Sequence, residues 1–217
     1  MKILLIEDRE TRQKKFTKIN FSKYEMIDNK IGDGYKEIKK AFDDEKFELN
    51  EYDVIISHRS AFGENNSKVL SKLNAFCKEN KKKLILFSGG ISVPFYTTTP
   101  FDFLSINSKE LYGSNLELFL EDAQKNDDTN LLLLAYGKNW ELNILLNTLE
   151  TINMFLVENN NSNSFDYDDF QEDTKYKTIE KLIDFEEYNS GFTKEDIEDI
   201  KVKIFQKVHT LLGVNHA

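Results

Sequence analysis

Short apolar runs alternate with stretches of helical spacing through the first half of the chain. The runs are Ile3–Glu7, Tyr24–Asp28, Val54–Ser57, Leu84–Ser88 and Phe101–Ile106. Runs of this kind, separated by segments with apolar residues three and four positions apart, are typical of a parallel α/β sheet with crossover helices. We therefore expect an α/β fold with five parallel strands over residues 1–124.

The connecting segments predict helices at about residues 10–19, 67–79 and 108–123. A further helix is expected to follow Gly32 and Gly34 and to end near residue 42. Ile91–Pro100 differs from them, because it contains β-branched residues, an aromatic pair and both prolines of the chain. Proline and β-branched residues disfavour a regular helix. A loop or a short extended piece is expected there.

A polar, acidic segment at residues 124–129 predicts a domain boundary, followed by a mainly α-helical domain over 130–217. Asn139 is a plausible N-cap for a helix to about Glu158, and Thr193 with Asp196 resembles a capping box for a helix to about Leu212. A further helix is expected near 175–188, after a solvated acidic loop at 166–173. The run Leu131–Ala135 is compatible with either a strand or a helix.

Charge divides the chain unevenly. Residues 1–125 contain 21 basic and 20 acidic residues, whereas residues 126–217 contain 8 and 18. An acidic second half disfavours direct nucleic-acid binding, so we expect protein partners with a basic surface. No apolar run is long enough for a membrane span and no signal peptide is evident. With Cys77 as the single cysteine, a cytoplasmic location is expected.

Polar residues follow three of the predicted strands. Glu7 and Asp8 end the first, His58 follows Ser57 at the end of the third, and Ser88 ends the fourth. This pattern resembles a response-regulator receiver domain over residues 1–124. The resemblance implies a flavodoxin-like fold, a magnesium-binding acidic pair at Glu7 and Asp8, and a phosphoryl contact at Ser88.

His58 departs from the receiver pattern, because it stands where that family has its phosphorylated aspartate. An imidazole cannot accept a phosphoryl group as an acyl phosphate or supply the third carboxylate for magnesium. The family's lysine after the fifth strand also has no counterpart, since Ser105 or Asn107 stands there. We therefore expect a pseudo-receiver without metal or cofactor.

A pseudo-receiver would act as a non-catalytic adaptor or regulatory subunit that binds other proteins. The resemblance is compatible with a bacterial regulatory or defence complex. Interface candidates are the aromatic residues Phe95, Tyr96, Phe101 and Trp140.

Two alternatives use the strand-end residues for chemistry. A hydrolase or phosphoryl-transfer enzyme would use the cluster Glu7, Asp8, His58, Arg59 and Ser88, with His58, Ser88 and Asp8 as catalytic candidates. A sensor of a small anionic ligand would use the same cleft, with backbone amides of Gly89 and Gly90. The discriminating feature is whether these side chains surround an open cleft or are covered.

Overall fold

The structure is a computed structural model that describes residues 1–46, 48–126, 128–184, 188 and 191–213. Its contacts divide the chain into two compact units, Met1–Lys138 and Asn139–Ala217. The first unit contains a mostly parallel six-stranded sheet with flanking helices. Within the described ranges, no helix combines the length and the apolar content needed to cross a bilayer.

The sheet has one strand more than the sequence predicted. Its strand order is β2-β1-β3-β4-β6-β5, and all neighbouring pairs are parallel except β5 and β6. The additional strand, β5, lies in the segment expected to be a loop or short extended piece, where β-branched and aromatic residues favour extended backbone. The strands are β1 Ile3–Glu7, β2 Ile27–Ile31, β3 Val54–His58, β4 Lys83–Ser88, β5 Phe95–Thr97 and β6 Phe103–Asn107.

Helices cover both faces of this sheet. On one face, Leu4 and Ile6 of β1 pack in a buried cluster with Leu73. On the other face, Leu5 belongs to a cluster with Phe119. Alternate residues of a buried strand point to opposite faces, so β1 contributes to both clusters. The helices of this unit are α1 Glu10–Phe16, α2 Asp33–Asp43, α3 Asn66–Asn80, α4 Ser108–Glu110, α5 Leu116–Ala123 and α6 Leu132–Tyr136, with a π-helical turn at Leu111–Asn115.

Helix α6 resolves the ambiguity at Leu131–Ala135. The segment is helical, and Leu131, Leu134 and Ala135 join the apolar cluster of the first unit. Residues 130–138 therefore lie with the first unit, although the sequence prediction assigned them to the second. The polar stretch at 124–129 separates two helices of one unit because the leucines that follow it pack back onto the same core.

Helices form the regular elements described in the second unit: α7 Trp140–Glu158, α8 Tyr167–Thr174 and α9 Lys194–Leu211. The capping box of α9 is confirmed, since Thr193 and Asp196 exchange side-chain to backbone hydrogen bonds. The prediction of an acidic loop at 166–173 is wrong. Asp166 accepts hydrogen bonds from the backbone amides of Asp168 and Asp169 and starts α8, because acidic residues favour a helix N-terminus.

The helix predicted at 175–188 is also wrong over the described residues 175–184. Lys175 adopts a left-handed backbone conformation with φ of 58°, and only the 3-10 turn Tyr176–Thr178 follows. A left-handed residue ends a helix, so α8 cannot continue through this position. In the remainder of that prediction, residues 185–187 lie outside the described residues, and Tyr188 has no regular secondary structure.

Candidate functional site

The carboxyl ends of β1 and β3 bring the predicted acidic pair and the histidine together. These strands are adjacent and parallel, with Ile6 opposite Ser57. Glu7, the last residue of β1, and His58, the last residue of β3, are both buried, and Asp8 is half-buried. The parallel strands therefore bring Glu7 and His58 to the same edge of the sheet, with Asp8 directly after β1.

Glu7 is enclosed by hydrogen-bond donors. Its Oε2 accepts a hydrogen bond of 2.9 Å from the Tyr112 hydroxyl, and its Oε1 accepts one of 2.8 Å from the Arg9 backbone N–H. The Nη1 atom of Arg12 lies 3.4 Å from the same Oε1. Burial raises the pKa of Glu7 above its ordinary value, while the Arg9 amide, the Arg12 charge and the Tyr112 hydroxyl act in the opposite direction.

Asp8 lies between His58 and Arg12. Its Oδ1 is 2.6 Å from His58 Nδ1 and 3.9 Å from Arg12 Nη1. These three atoms are buried, but none of them makes a hydrogen bond of good geometry to a described residue. Burial alone would raise the pKa of Asp8, but the interactions with His58, then with Glu7 and with Arg12, outweigh it and lower the pKa below its ordinary value.

Arg12 supplies positive charge that a metal ion would otherwise bring. Glu7, Asp8 and His58 each offer one ligand atom, and these atoms lie within 4.8 Å of one another. Two carboxylates and an imidazole could ligate a divalent ion. The guanidinium of Arg12 already contacts both carboxylates, however, and its side chain is only 12% exposed. A metal ion would have to displace this buried cation.

Ser88 is directed away from His58. His58 pairs in register with Phe87, and the two rings are 5.4 Å apart, so both side chains lie on one face of the sheet. Ser88 is the next residue of β4, and strand alternation points it to the other face. Arg59 is exposed, and its backbone N–H donates to the Phe87 carbonyl at 2.8 Å. The predicted five-residue cluster is therefore split by the sheet.

Asn107 holds the loop that follows β4. Its side-chain Nδ2 donates to the carbonyls of Gly89 and Ile91, at 3.3 and 2.7 Å. The Gly90 backbone N–H donates to Ser88 Oγ at 3.4 Å. The Gly90 amide thus has an internal partner within this loop. Asn107 is one of the two residues, with Ser105, that stand where the receiver resemblance implies a lysine, and its side chain binds backbone instead.

Two residues of the site were not found from the sequence. Arg12 lies in the first turn of α1, but Asp8 precedes the N-cap residue Arg9, so the four-residue spacing of a helix does not predict this ion pair. Tyr112 is 105 residues from Glu7 and follows α4 in a π-helical turn, and no local pattern indicates the contact.

The four interface candidates differ in exposure. Phe95 is 51% exposed, and its neighbour Val93 is 71% exposed. Tyr96 and Phe101 are half-buried, Tyr96 against the cluster that contains Phe119 and Phe101 against the one that contains Leu73. Trp140 is half-buried at the start of α7. Phe95 is therefore the candidate with most surface to offer a partner.

Comparison with known proteins identifies no relative: no family model matches the chain, and no match was found among curated proteins or solved structures.

Proposed function

We propose that the chain is a non-catalytic, receiver-like regulatory or adaptor protein that binds other proteins. The observation that carries this proposal is that the polar residues at the strand ends contact one another and leave little exposed surface. Asp8 is in contact with His58 Nδ1 at 2.6 Å, and Glu7 is fully buried against Tyr112 and Arg12. A phosphoryl acceptor must instead present a carboxylate and a bound magnesium ion to the phosphodonor.

The hydrolase alternative receives less support from this geometry. A serine nucleophile needs its general base within hydrogen-bond reach. Strand alternation directs Ser88 and His58 to opposite faces of the sheet, and the His58 side chain is only 6% exposed. The anion-sensor alternative is also weakened, because the Gly90 amide is bound to Ser88.

A first experiment tests for receiver chemistry. We expect no gain of a labile phosphoryl group by intact-mass spectrometry after treatment with acetyl phosphate and magnesium. The informative variant is His58→Asp, which places a third carboxylate beside Glu7 and Asp8. We expect it to melt at a lower temperature than wild type without divalent ions, and to be stabilised by added magnesium.

His58→Asn is the matched control, since asparagine has the shape of aspartate without its charge. It should show no magnesium-dependent change in melting temperature. Phosphorylation of the wild-type chain on Asp8 or Glu7 would refute the proposal that the protein is non-catalytic. A His58→Asp variant as insensitive to magnesium as His58→Asn would remove the support that the receiver resemblance provides.

A second experiment tests protein binding at the β5 edge. Phe95 is an exposed apolar residue of the edge strand β5, and the exposed Val93 precedes that strand; exposed apolar side chains of this kind mark contact surfaces. We expect Val93→Ser with Phe95→Ser to reduce the capture of partners from extracts of the source cell, while the melting temperature is unchanged. Replacement of the exposed Ser92 by Ala is the control. Undiminished capture by the double variant would move the interface elsewhere.

A further inference from the structure

Helix α7 carries apolar residues on two opposite sides. One side is buried within the second unit and includes Leu145, Ile152 and Phe155. On the other side, Met154 and Val157 are 56% and 72% exposed. The exposed side of a helix in a globular protein is normally polar, and a helix that is apolar on all sides is normally buried. The exposed side of α7 therefore carries large apolar side chains that a binding partner can cover.

This exposed side, which we call the α7 face, is also acidic. Its described lining forms a depression with a volume of about 550 Å³ and includes Leu146, Glu150, Asn153, Met154, Val157 and Glu158. The whole of α7 contains glutamates but no lysine or arginine. In the described part of the chain, neither Glu150 nor Glu158 has a salt-bridge partner. Glu158 also lies in the last turn, where the helix dipole favours a cation.

We propose that the α7 face is the docking site for a helical segment of a partner protein, with apolar side chains flanked by lysine or arginine. This inference rests on the proposed protein-binding function and specifies the chemistry of one partner surface. Apolar side chains of the segment would cover Met154 and Val157, and its cations would pair with Glu150 and Glu158. From residue 146 to 158 the face extends about 18 Å, which matches a partner helix of about three to four turns.

Charge disfavours two other occupants of the α7 face. A second copy of the chain in a two-fold dimer would place the same acidic patch on both sides of the interface, and like charges would repel. Anionic membrane lipids would be repelled by Glu150 and Glu158 for the same reason. A basic, amphipathic helix satisfies both the apolar and the acidic residues, as in helix-in-groove recognition.

The test uses the full chain and a synthetic helical peptide made of leucine and lysine with one apolar side. The matched probe has glutamate in place of every lysine. Calorimetry should detect binding of the lysine peptide, weaker at physiological than at low salt, and no binding of the glutamate peptide. Met154→Ala and Val157→Ala should each weaken binding of the lysine peptide by about tenfold, the loss expected for one exposed apolar contact.

Variants of equal charge separate the α7 face from general acidity. Glu150→Gln with Glu158→Gln should weaken binding and reduce its salt dependence. Glu172→Gln with Asp173→Asn removes two exposed charges from α8, and should bind like wild type. Val202 of α9 is 51% exposed, and Val202→Ala should also leave binding of the lysine peptide unchanged.

The inference is refuted if the α7 and control variants bind alike, or if the glutamate peptide binds as well as the lysine peptide. A dimer in sedimentation that is dispersed by Val157→Ala would assign the face to a second copy and also refute it. None of these results affects the proposal that the protein is non-catalytic, which depends on phosphorylation and on His58→Asp. Conversely, phosphorylation of the wild type would refute that proposal while leaving the peptide result intact.

Discussion

The hydroxyl of Tyr112 is the contact whose removal tests the buried polar site most directly. Tyr112 is 1% exposed, and its hydroxyl donates to Glu7 Oε2 at 2.9 Å. Its ring packs edge-on against Phe87 with centroids 5.4 Å apart. Tyr112→Phe removes the donor and retains this ring contact. Water cannot replace the hydroxyl, because Glu7 has no exposed surface.

The expected loss depends on the charge of Glu7. A hydrogen bond to a charged group contributes about 1.5–3 kcal/mol, and a neutral one about 1 kcal/mol. We therefore expect Tyr112→Phe to lower the free energy of unfolding by about 2 kcal/mol at a pH where Glu7 is ionised, and by about 1 kcal/mol where it is neutral. For a chain of this length, a loss of about 2 kcal/mol lowers the melting temperature by about 4–8 °C.

The sign of the pH dependence follows from the effect of the Tyr112 hydrogen bond on the pKa of Glu7. The Tyr112 hydrogen bond lowers that pKa, although burial has the larger, opposite effect. Below the pKa the carboxyl group is neutral and the hydrogen bond is weaker. The destabilisation caused by Tyr112→Phe should consequently become smaller as the pH is lowered through the pKa of Glu7, which lies above its ordinary value of 4.5.

Urea denaturation followed by far-ultraviolet circular dichroism measures this loss, with Tyr52→Phe as the control. Tyr52 is also buried, and its hydroxyl donates to Asp28 Oδ2 at 2.7 Å. The Asp28 side chain is 31% exposed and pairs with Lys30 at 3.0 Å, so water can replace the hydroxyl. We expect a loss of about 0.5–1 kcal/mol for Tyr52→Phe. Equal losses for both variants, or a Tyr112→Phe loss that does not change with pH, would contradict the reasoning.

Three further predictions concern other parts of the chain. Gly137→Ala should destabilise by about 1 kcal/mol more than Gly63→Ala in thermal melts, because Asn115 must move and lose its hydrogen bond to the Leu134 carbonyl. Both glycines have positive φ, but only at Gly137 would the added Cβ meet a neighbour, Asn115 Oδ1 at 2.7 Å. Thr193→Ala should lower the stability of the second unit by about 1 kcal/mol in urea, visible in Trp140 fluorescence; no change would show that the capping box does not contribute. Asp8→Asn should destabilise at neutral pH. The ionised Asp8 carboxylate stabilises the fold, because its pKa in the folded protein lies below the ordinary value of 3.8. The difference in stability between Asp8→Asn and wild type should therefore disappear as the pH falls below 3.8 and through that lowered pKa. A difference that does not change with pH would exclude ionisation as the cause.

Local sequence patterns determined most of the elements of the first unit. The apolar runs at residues 3–7, 54–57 and 84–88 coincide within a residue with β1, β3 and β4, and the helix expected at 67–79 corresponds to α3. Such runs are long enough, and apolar enough, to specify one kind of element. In the acidic segment at 166–173, composition indicated a loop, whereas the cap formed by Asp166 starts a helix.

The meeting of Asp8 with His58 was also predictable, because parallel strands deliver their carboxyl ends to the same edge of a sheet. This contact depends on strand direction, which short stretches of sequence indicate. Arg12 could not be added in the same way, because Asp8 lies before the start of α1 and outside its helical periodicity.

Tertiary structure alone decided which strand-end residues share a face. Ser88 and His58 lie on opposite faces of the sheet because of the register between β3 and β4, and this register depends on the packing of both sheet faces. The contact of Tyr112 with Glu7 requires the return of the chain after 105 residues. Likewise, the leucines of α6 could pack against several apolar surfaces, and only the assembled core selects the first unit. Sequence periodicity describes one element at a time, whereas these features arise from the relative placement of several elements.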